Sequence, residues 1–239
     1  MGILTLTAAI IGWAWSLFPA KDSPGYFQFA DQSQIFGLPH SLDVLSNIGF
    51  LLASAYGLLW LFKRRPFRSS SQTLLMACFA FSGVLIAAGS TYFHIDPNVN
   101  RLFLDRLPMA MSFSFLIALL VGDRIDEKLG VWVGMFLAPL AIESVVGWDA
   151  GWLTLRPYHL LQYGGMVFLL LVATFRPKGE IPNKAIFGGL GLYVLAKIFE
   201  LLDQPVFAMN GLVSGHTVKH VLAALALLKL MSFMKKDSV

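Results

Sequence analysis

Long apolar segments alternate with short polar connections along most of the chain. Seven segments approach the ~20 mostly apolar residues that a membrane-spanning helix needs, at residues 41–62, 72–94, 102–122, 129–147, 157–175, 184–203 and 212–234. Their connections are rich in proline, glycine and charge, as in KRRPFRSSSQ and RPKGEIPN. The pattern predicts an all-α integral membrane protein, a bundle of seven transmembrane helices over residues 41–234, with a loop at 21–40 and a tail at 235–239.

A further apolar run opens the chain and reads ILTLTAAIIGWAWSLF. It has neither the basic start nor the small-residue cleavage site of a secretory signal peptide. It ends before Pro19 and is slightly short for a span. We expect the N-terminal hydrophobic segment, residues 1–20, to form an extra span, with an interfacial helix as the alternative.

The composition agrees with a membrane protein. Hydrophobic residues make up 56% of the chain and charged residues 13%, against roughly 25% charged in a soluble domain. No basic stripe is interleaved with aromatic residues, so nucleic acid is not an expected partner. The single cysteine, Cys78, excludes an intrachain disulfide and a cysteine metal site.

Lysine and arginine are unevenly distributed when the seven segments are counted as alternating spans. Twelve of the 18 fall on the side that carries the C-terminus, and four fall on the opposite side: Lys21, Arg101, Arg106 and Arg156. The positive-inside rule places the richer side in the cytoplasm. The tail is then cytoplasmic, and the poorer side faces the periplasm or an organelle lumen.

Polar side chains converge on the poorer side. The second segment ends at His94, the third has an aspartate in its first turn, and the seventh opens with SGHTVKH. Residues spaced i, i+4 share one helix face. Alternation of the spans therefore puts five groups at one depth: Ser90, His94, Asp105, His216 and His220.

These residue types match the needs of metal-assisted hydrolysis. Three neutral imidazoles can hold Zn²⁺ and leave a fourth position for water, whose pKa can fall to about 7. A carboxylate can take the proton of that water, and a serine hydroxyl can donate to a developing oxyanion. The convergence predicts a metal site of this kind.

Each residue alone also has a structural interpretation. A histidine is favourable at a helix C-terminus. An aspartate is favourable in the first turn of a helix. A serine is common as a small packing residue in a membrane helix. His159, also on the poorer side, could be a competing ligand, but a plain interfacial histidine is expected there. Glu143 and Lys197 are predicted to form a buried ion pair, because pairing lowers the cost of both charges.

The pieces GSTYFH, LDRLPMAM and SGHTVKH resemble the alkaline ceramidase family, in a bacterial-type form. That family belongs to the CREST group of seven-helix membrane hydrolases, which also includes adiponectin-type receptors. The resemblance implies zinc ligands at His94, His216 and His220, with Asp105 deprotonating the zinc water and Ser90 steadying the oxyanion. It implies hydrolysis of ceramide or a related N-acyl lipid to a fatty acid and an amine-bearing base. With the orientation taken from lysine and arginine, we expect the site at the outer side of a bacterial inner membrane.

The N-terminal part departs from the family pattern. Alkaline ceramidases bind calcium through an acidic stretch before the first helix, but the corresponding stretch here has only Asp31 and Asp43 as carboxylates. Calcium prefers several hard oxygen ligands. Calcium thus stays a secondary hypothesis, and we expect this stretch to cap the active site or touch the lipid head group.

Three other functions compete with a zinc amidase. A zinc-containing receptor of the adiponectin type would show little lipid turnover. A retinal protein would need a mid-membrane lysine, whereas Lys219 lies near a helix start. A metal transporter would carry ligands at several depths. The favoured partners are a lipid substrate and the bilayer, and the sequence does not predict the oligomeric state.

Overall fold

The structure is a computed structural model that describes Ser16, residues 19–22 and residues 25–235. The predicted N-terminal span lies almost entirely outside the described residues. So does the tail, apart from the backbone of Lys235.

A short antiparallel hairpin precedes the helices, with β1 (Gln34–Ile35) paired to β2 (Leu38–Pro39). The helices in chain order are α1 (Ser41–Ser46), α2 (Ile48–Arg64), α3 (Ser70–Ile95), α4 (Val99–Arg124), α5 (Glu127–Asp149), α6 (Arg156–His159), α7 (Gly165–Phe175), α8 (Asn183–Leu201), α9 (Asp203–Asn210) and α10 (Gly215–Met231). A π-helical turn (Leu160–Gly164) joins α6 to α7, and a 3-10 turn (Ser232–Lys235) extends α10.

The helices confirm the prediction of a multi-pass membrane protein. Within the described residues, six helical stretches are long and apolar enough to cross a bilayer: Ser41–Arg64, Ser70–Ile95, Val99–Arg124, Glu127–Asp149, Arg156–Phe175 and Gly215–Met234. The remaining predicted segment consists of α8 and α9, which are bent by 75° at their junction. The described residues therefore contain six helices that could cross a bilayer, or seven if the bent pair is one span.

The helices enclose a central cavity. Helices α2, α3, α4, α7, α8 and α10 pack side by side in a ring, and α5 packs outside it against α4. The enclosed cavity has a volume of about 530 Å³. One end is lined by charged and polar groups and the other by apolar side chains such as Phe79, Leu169 and Leu227.

Close contact between α3 and α4 depends on Gly89. A Cβ atom at Gly89 would lie 2.0 Å from the carbonyl oxygen of Leu104. That carbonyl has no helical N–H donor four residues on, because Pro108 stands there. The absent side chain and the freed carbonyl let the two backbones meet, which sets Ser90 next to Asp105 in space.

We predict that Gly89→Ala destabilises the protein. The added methyl group must push α3 from α4, and overpacking of this kind costs about 1–3 kcal/mol. The midpoint of thermal unfolding in detergent should fall. Gly191→Ala in α8 is the matched control, because nothing lies within 4 Å of a Cβ there, and its midpoint should not fall. Equal midpoints for the two variants would contradict the close contact.

Candidate metal centre

Three histidines meet at the polar end of the cavity. His94 comes from the last turn of α3, and His216 and His220 from the first two turns of α10. All three are buried, and one ring nitrogen of each lies within 4.8 Å of those of the other two. The structure therefore brings the three predicted ligands close enough to hold one metal ion.

The donor set fits zinc. Two nitrogens bound to a tetrahedral zinc ion at about 2.0–2.1 Å are about 3.3 Å apart. The Nε2 atoms of His94 and His216 are 3.2 Å apart. Three imidazole ligands also leave the open position that a catalytic zinc site keeps for water. Imidazole also binds several other divalent transition metals. The choice of zinc therefore rests on the hydrolysis proposed below.

A break in the first span orients His220. The backbone N–H of Asn47, between α1 and α2, donates to the carbonyl of Val44 instead of that of Asp43. The Asp43 carbonyl instead accepts from the side chains of Ser46 and Asn47, and Nδ1 of His220 lies 3.0 Å from it. Because a carbonyl only accepts, Nδ1 carries the proton and Nε2 keeps a lone pair for a metal.

Two carboxylates hold the first turn of α10. Asp203 accepts the backbone N–H of His216 at 2.8 Å. Asp43 accepts the hydroxyls of Ser214 and Thr217 at 2.9 and 2.5 Å. Since the first N–H groups of a helix have no helical acceptor, these contacts fix both the start and the rotation of α10.

The segment before the first span covers the histidines. The Phe29 ring meets the rings of His94 and His216 edge to face, at centroid distances of 4.8 and 4.7 Å. The N–H of Ala30 donates to the second oxygen of Asp203 at 2.9 Å. This arrangement agrees with the expected cap over the site.

The two carboxylates considered for calcium have protein donors. Asp31 accepts the N–H groups of Leu42 and Asp43 at 2.9 Å and that of Ser33 at 2.9 Å. It therefore acts as a cap for α1 supplied from outside the helix. Asp43 receives the two hydroxyls from the start of α10. Asp31 thus joins the N-terminal segment to α1, and Asp43 joins α1 to the start of α10.

Ser90 and Asp105 lie at the same end of the cavity. Both are buried and both line it. The Ser90 hydroxyl interacts with the Asp105 carboxylate. Four of the five predicted site residues thus line one cavity, and His94 is clustered with His216 and His220.

A buried arginine anchors the N-terminal segment beside them. Arg106 pairs with both carboxylate oxygens of Asp22 and lies over the rings of Trp148, Tyr26 and Tyr158, at 4.3, 5.2 and 5.7 Å. Burial raises the pKa of the Tyr26 hydroxyl, so Tyr26 stays protonated at neutral pH. Aromatic rings and a paired carboxylate together offset the desolvation of the guanidinium.

Two further sequence interpretations are settled by the positions of the side chains. His159 lines the cavity but is not one of the three clustered histidines. Lys197 pairs with Glu200, one turn along α8, so the predicted pair with Glu143 is wrong. Glu200 also contacts Lys219 at 2.8 Å, an ion pair that sequence reasoning missed because it joins two helices.

No protein-family model matches the chain, and no curated protein matches its sequence. The interpretation of the site therefore rests on its own residues.

We predict that the protein purified without chelators carries about one zinc ion per chain, measured by elemental analysis. His94→Ala, His216→Ala and His220→Ala should each lose most of the metal. His159→Ala is the matched control, a histidine on the same cavity but outside the cluster, and should keep it. Loss of metal from His159→Ala with retention in His216→Ala would mean that the ligand set is wrong.

Proposed function

We propose that this protein is a zinc-dependent membrane hydrolase that cleaves the amide bond of an N-acyl lipid such as ceramide, as the resemblance to alkaline ceramidases implies. One observation carries the proposal. Three buried imidazoles are clustered, and two of them share the polar end of a cavity with a carboxylate and a hydroxyl, while its other end is apolar. An amide at the polar end would have its acyl chain in the apolar end.

His94, His216 and His220 would hold the zinc ion. When bound, zinc polarises a carbonyl and lowers the pKa of a bound water. Asp105 would accept the proton of the attacking water and return it to the leaving nitrogen. Ser90, beside Asp105, would donate a hydrogen bond to the negative charge that develops on the carbonyl oxygen.

The cavity and its surroundings support a lipid as the substrate. Its apolar lining extends from the site along α3, α7 and α10, and the ring of helices is apolar enough to lie in a bilayer. We count α8 and α9 as one bent span, which gives seven spans. The distribution of lysine and arginine then places the C-terminus in the cytoplasm. The site then opens to the outer side of the membrane.

We predict different outcomes for the base and for a ligand. Asp105→Asn should keep the metal and lose about 10²–10⁴-fold in turnover. His94→Ala should lose metal and turnover together. The measurement is fatty-acid release from ceramide or another N-acyl lipid, beside zinc content.

Ser90→Ala should also keep the metal, with a loss of about 10²–10³-fold. If Asp105→Asn and Ser90→Ala both act at the wild-type rate, these residues serve packing only. If the metal-loaded wild-type protein releases no fatty acid from any N-acyl lipid, the adiponectin-type receptor becomes the better interpretation.

We predict that the site faces away from the cytoplasm. In a Cys78→Ser background, Asn100→Cys at the start of α4 should react with an impermeant thiol reagent on intact cells. Lys178→Cys, between α7 and α8 on the opposite side, should react only after the membrane is broken. Both positions are exposed. The reverse pattern would overturn the orientation taken from lysine and arginine.

A further inference from the structure

A buried ammonium group stands beside the three histidines. The Nζ atom of Lys219 lies 3.1 Å from Nε2 of His216 and 2.8 Å from a carboxylate oxygen of Glu200. Its side chain is only 15% exposed, and it lines the cavity. A positive charge so close to a candidate cation site needs an explanation, because it opposes metal binding.

Glu200 keeps this charge in place. Its second oxygen pairs with Lys197 on the same wall of the cavity. Glu200 therefore holds the Lys219 ammonium in an ion pair beside His216. An ammonium has three N–H donors, and Glu200 takes one.

A metal ion would take away the acceptor of another N–H group of Lys219. Nε2 of His216 is the atom that faces both His94 and Lys219. Once its lone pair is given to a metal ion, it can no longer accept from Lys219. A buried N–H donor would then be left at the site without that acceptor, which is costly unless an oxygen replaces it.

We propose that Lys219 binds the reacting oxygens of the lipid: the negatively charged carbonyl oxygen during hydrolysis, and then the carboxylate of the fatty-acid product. This inference deepens the proposed function and rests on it for the reaction. Charge-assisted hydrogen bonds from an ammonium to an anionic oxygen are among the stronger ones in proteins. Glu200 is a positioning residue that holds Lys219 toward the site.

The charges and atoms of the step balance. A water molecule gives a proton to Asp105, and its oxygen bonds to the carbonyl carbon while the π electrons move to the carbonyl oxygen. That oxygen is the anion facing Lys219. When the C=O bond forms again, the C–N bond breaks and the nitrogen takes the proton from Asp105. The fatty-acid product then gives its carboxylic proton to the released amine and becomes a carboxylate.

A purely structural role would have a different signature. If Lys219 only neutralised Glu200, replacing it would lower the stability of the protein but would not change its preference for a charged over a neutral ligand. Lys197 offers the matched control, because it pairs with the same carboxylate and lines the same cavity. Unlike Lys219, it has no contact with a clustered histidine in the part of the chain described.

The test compares binding of oleate and oleyl alcohol, which share a chain and differ in the charge of the head. Purified protein in detergent, loaded with zinc to equal content, is titrated with each probe for the wild type, Lys219→Met, Lys219→Arg and Lys197→Met. The wild type should bind oleate about 10- to 100-fold more tightly than the alcohol. Lys219→Met should lose most of this preference, Lys219→Arg should keep part of it, and Lys197→Met should stay within about threefold of the wild type.

The outcomes separate this inference from the proposed function, because binding needs no turnover. An unchanged preference in folded, zinc-loaded Lys219→Met would overturn it, even if the enzyme hydrolyses amides. An equal loss in Lys197→Met would also overturn it, since a general effect of cavity charge would then suffice. The protein could also prefer oleate through Lys219 and yet hydrolyse no amide. That result would support carboxylate binding by Lys219 and contradict the proposed hydrolase function.

Discussion

The whole site depends on the way the first turn of α10 is held. That turn carries two of the three clustered histidines, and a rotation of α10 would carry both away from His94. Asp203 and Asp43 accept its backbone and side-chain donors, and the Asp43 carbonyl receives the ring of His220. Hydrogen bonds to anionic acceptors are strong where water is excluded. Polar groups that would be costly in a membrane thus become the means of positioning the ligands.

The same acidic groups connect the site to the segment that covers it. Asp203 holds Ala30 with one oxygen and His216 with the other. Phe29, next to Ala30 in the chain, packs on two of the histidine rings. The Asp203 side chain therefore connects the cover to the start of α10, so displacement of either one disturbs the other. An apolar ring over the imidazoles also lowers the local dielectric, which strengthens electrostatic interactions within the site.

The sequence predicted the apolar helices and the convergence of the histidines because both follow from simple counting. Segment length indicates a span, and alternation of spans assigns each end to a side. Such counting cannot find contacts made across the bundle. The pair between Glu200 and Lys219 joins two helices, and the break at Asn47 and the bend between α8 and α9 interrupt segments whose apolar pattern is continuous. The prediction for Lys197 was wrong for a different reason, because its partner Glu200 lies one turn away on its own helix and not across the bundle.

The asymmetry of the cavity follows from where the helices begin and end. Helix termini supply unpaired N–H and C=O groups and favour charged side chains, so His94 at the end of α3 and His216 at the start of α10 share the polar end. In the middle of a helix the backbone groups are already paired, and the side chains that line the cavity there are mostly apolar. A molecule with a polar head and a long chain matches this gradient. If the gradient selects the substrate, the charge of Lys219 acts only on the head, and the chain contributes affinity in proportion to the apolar area that it buries.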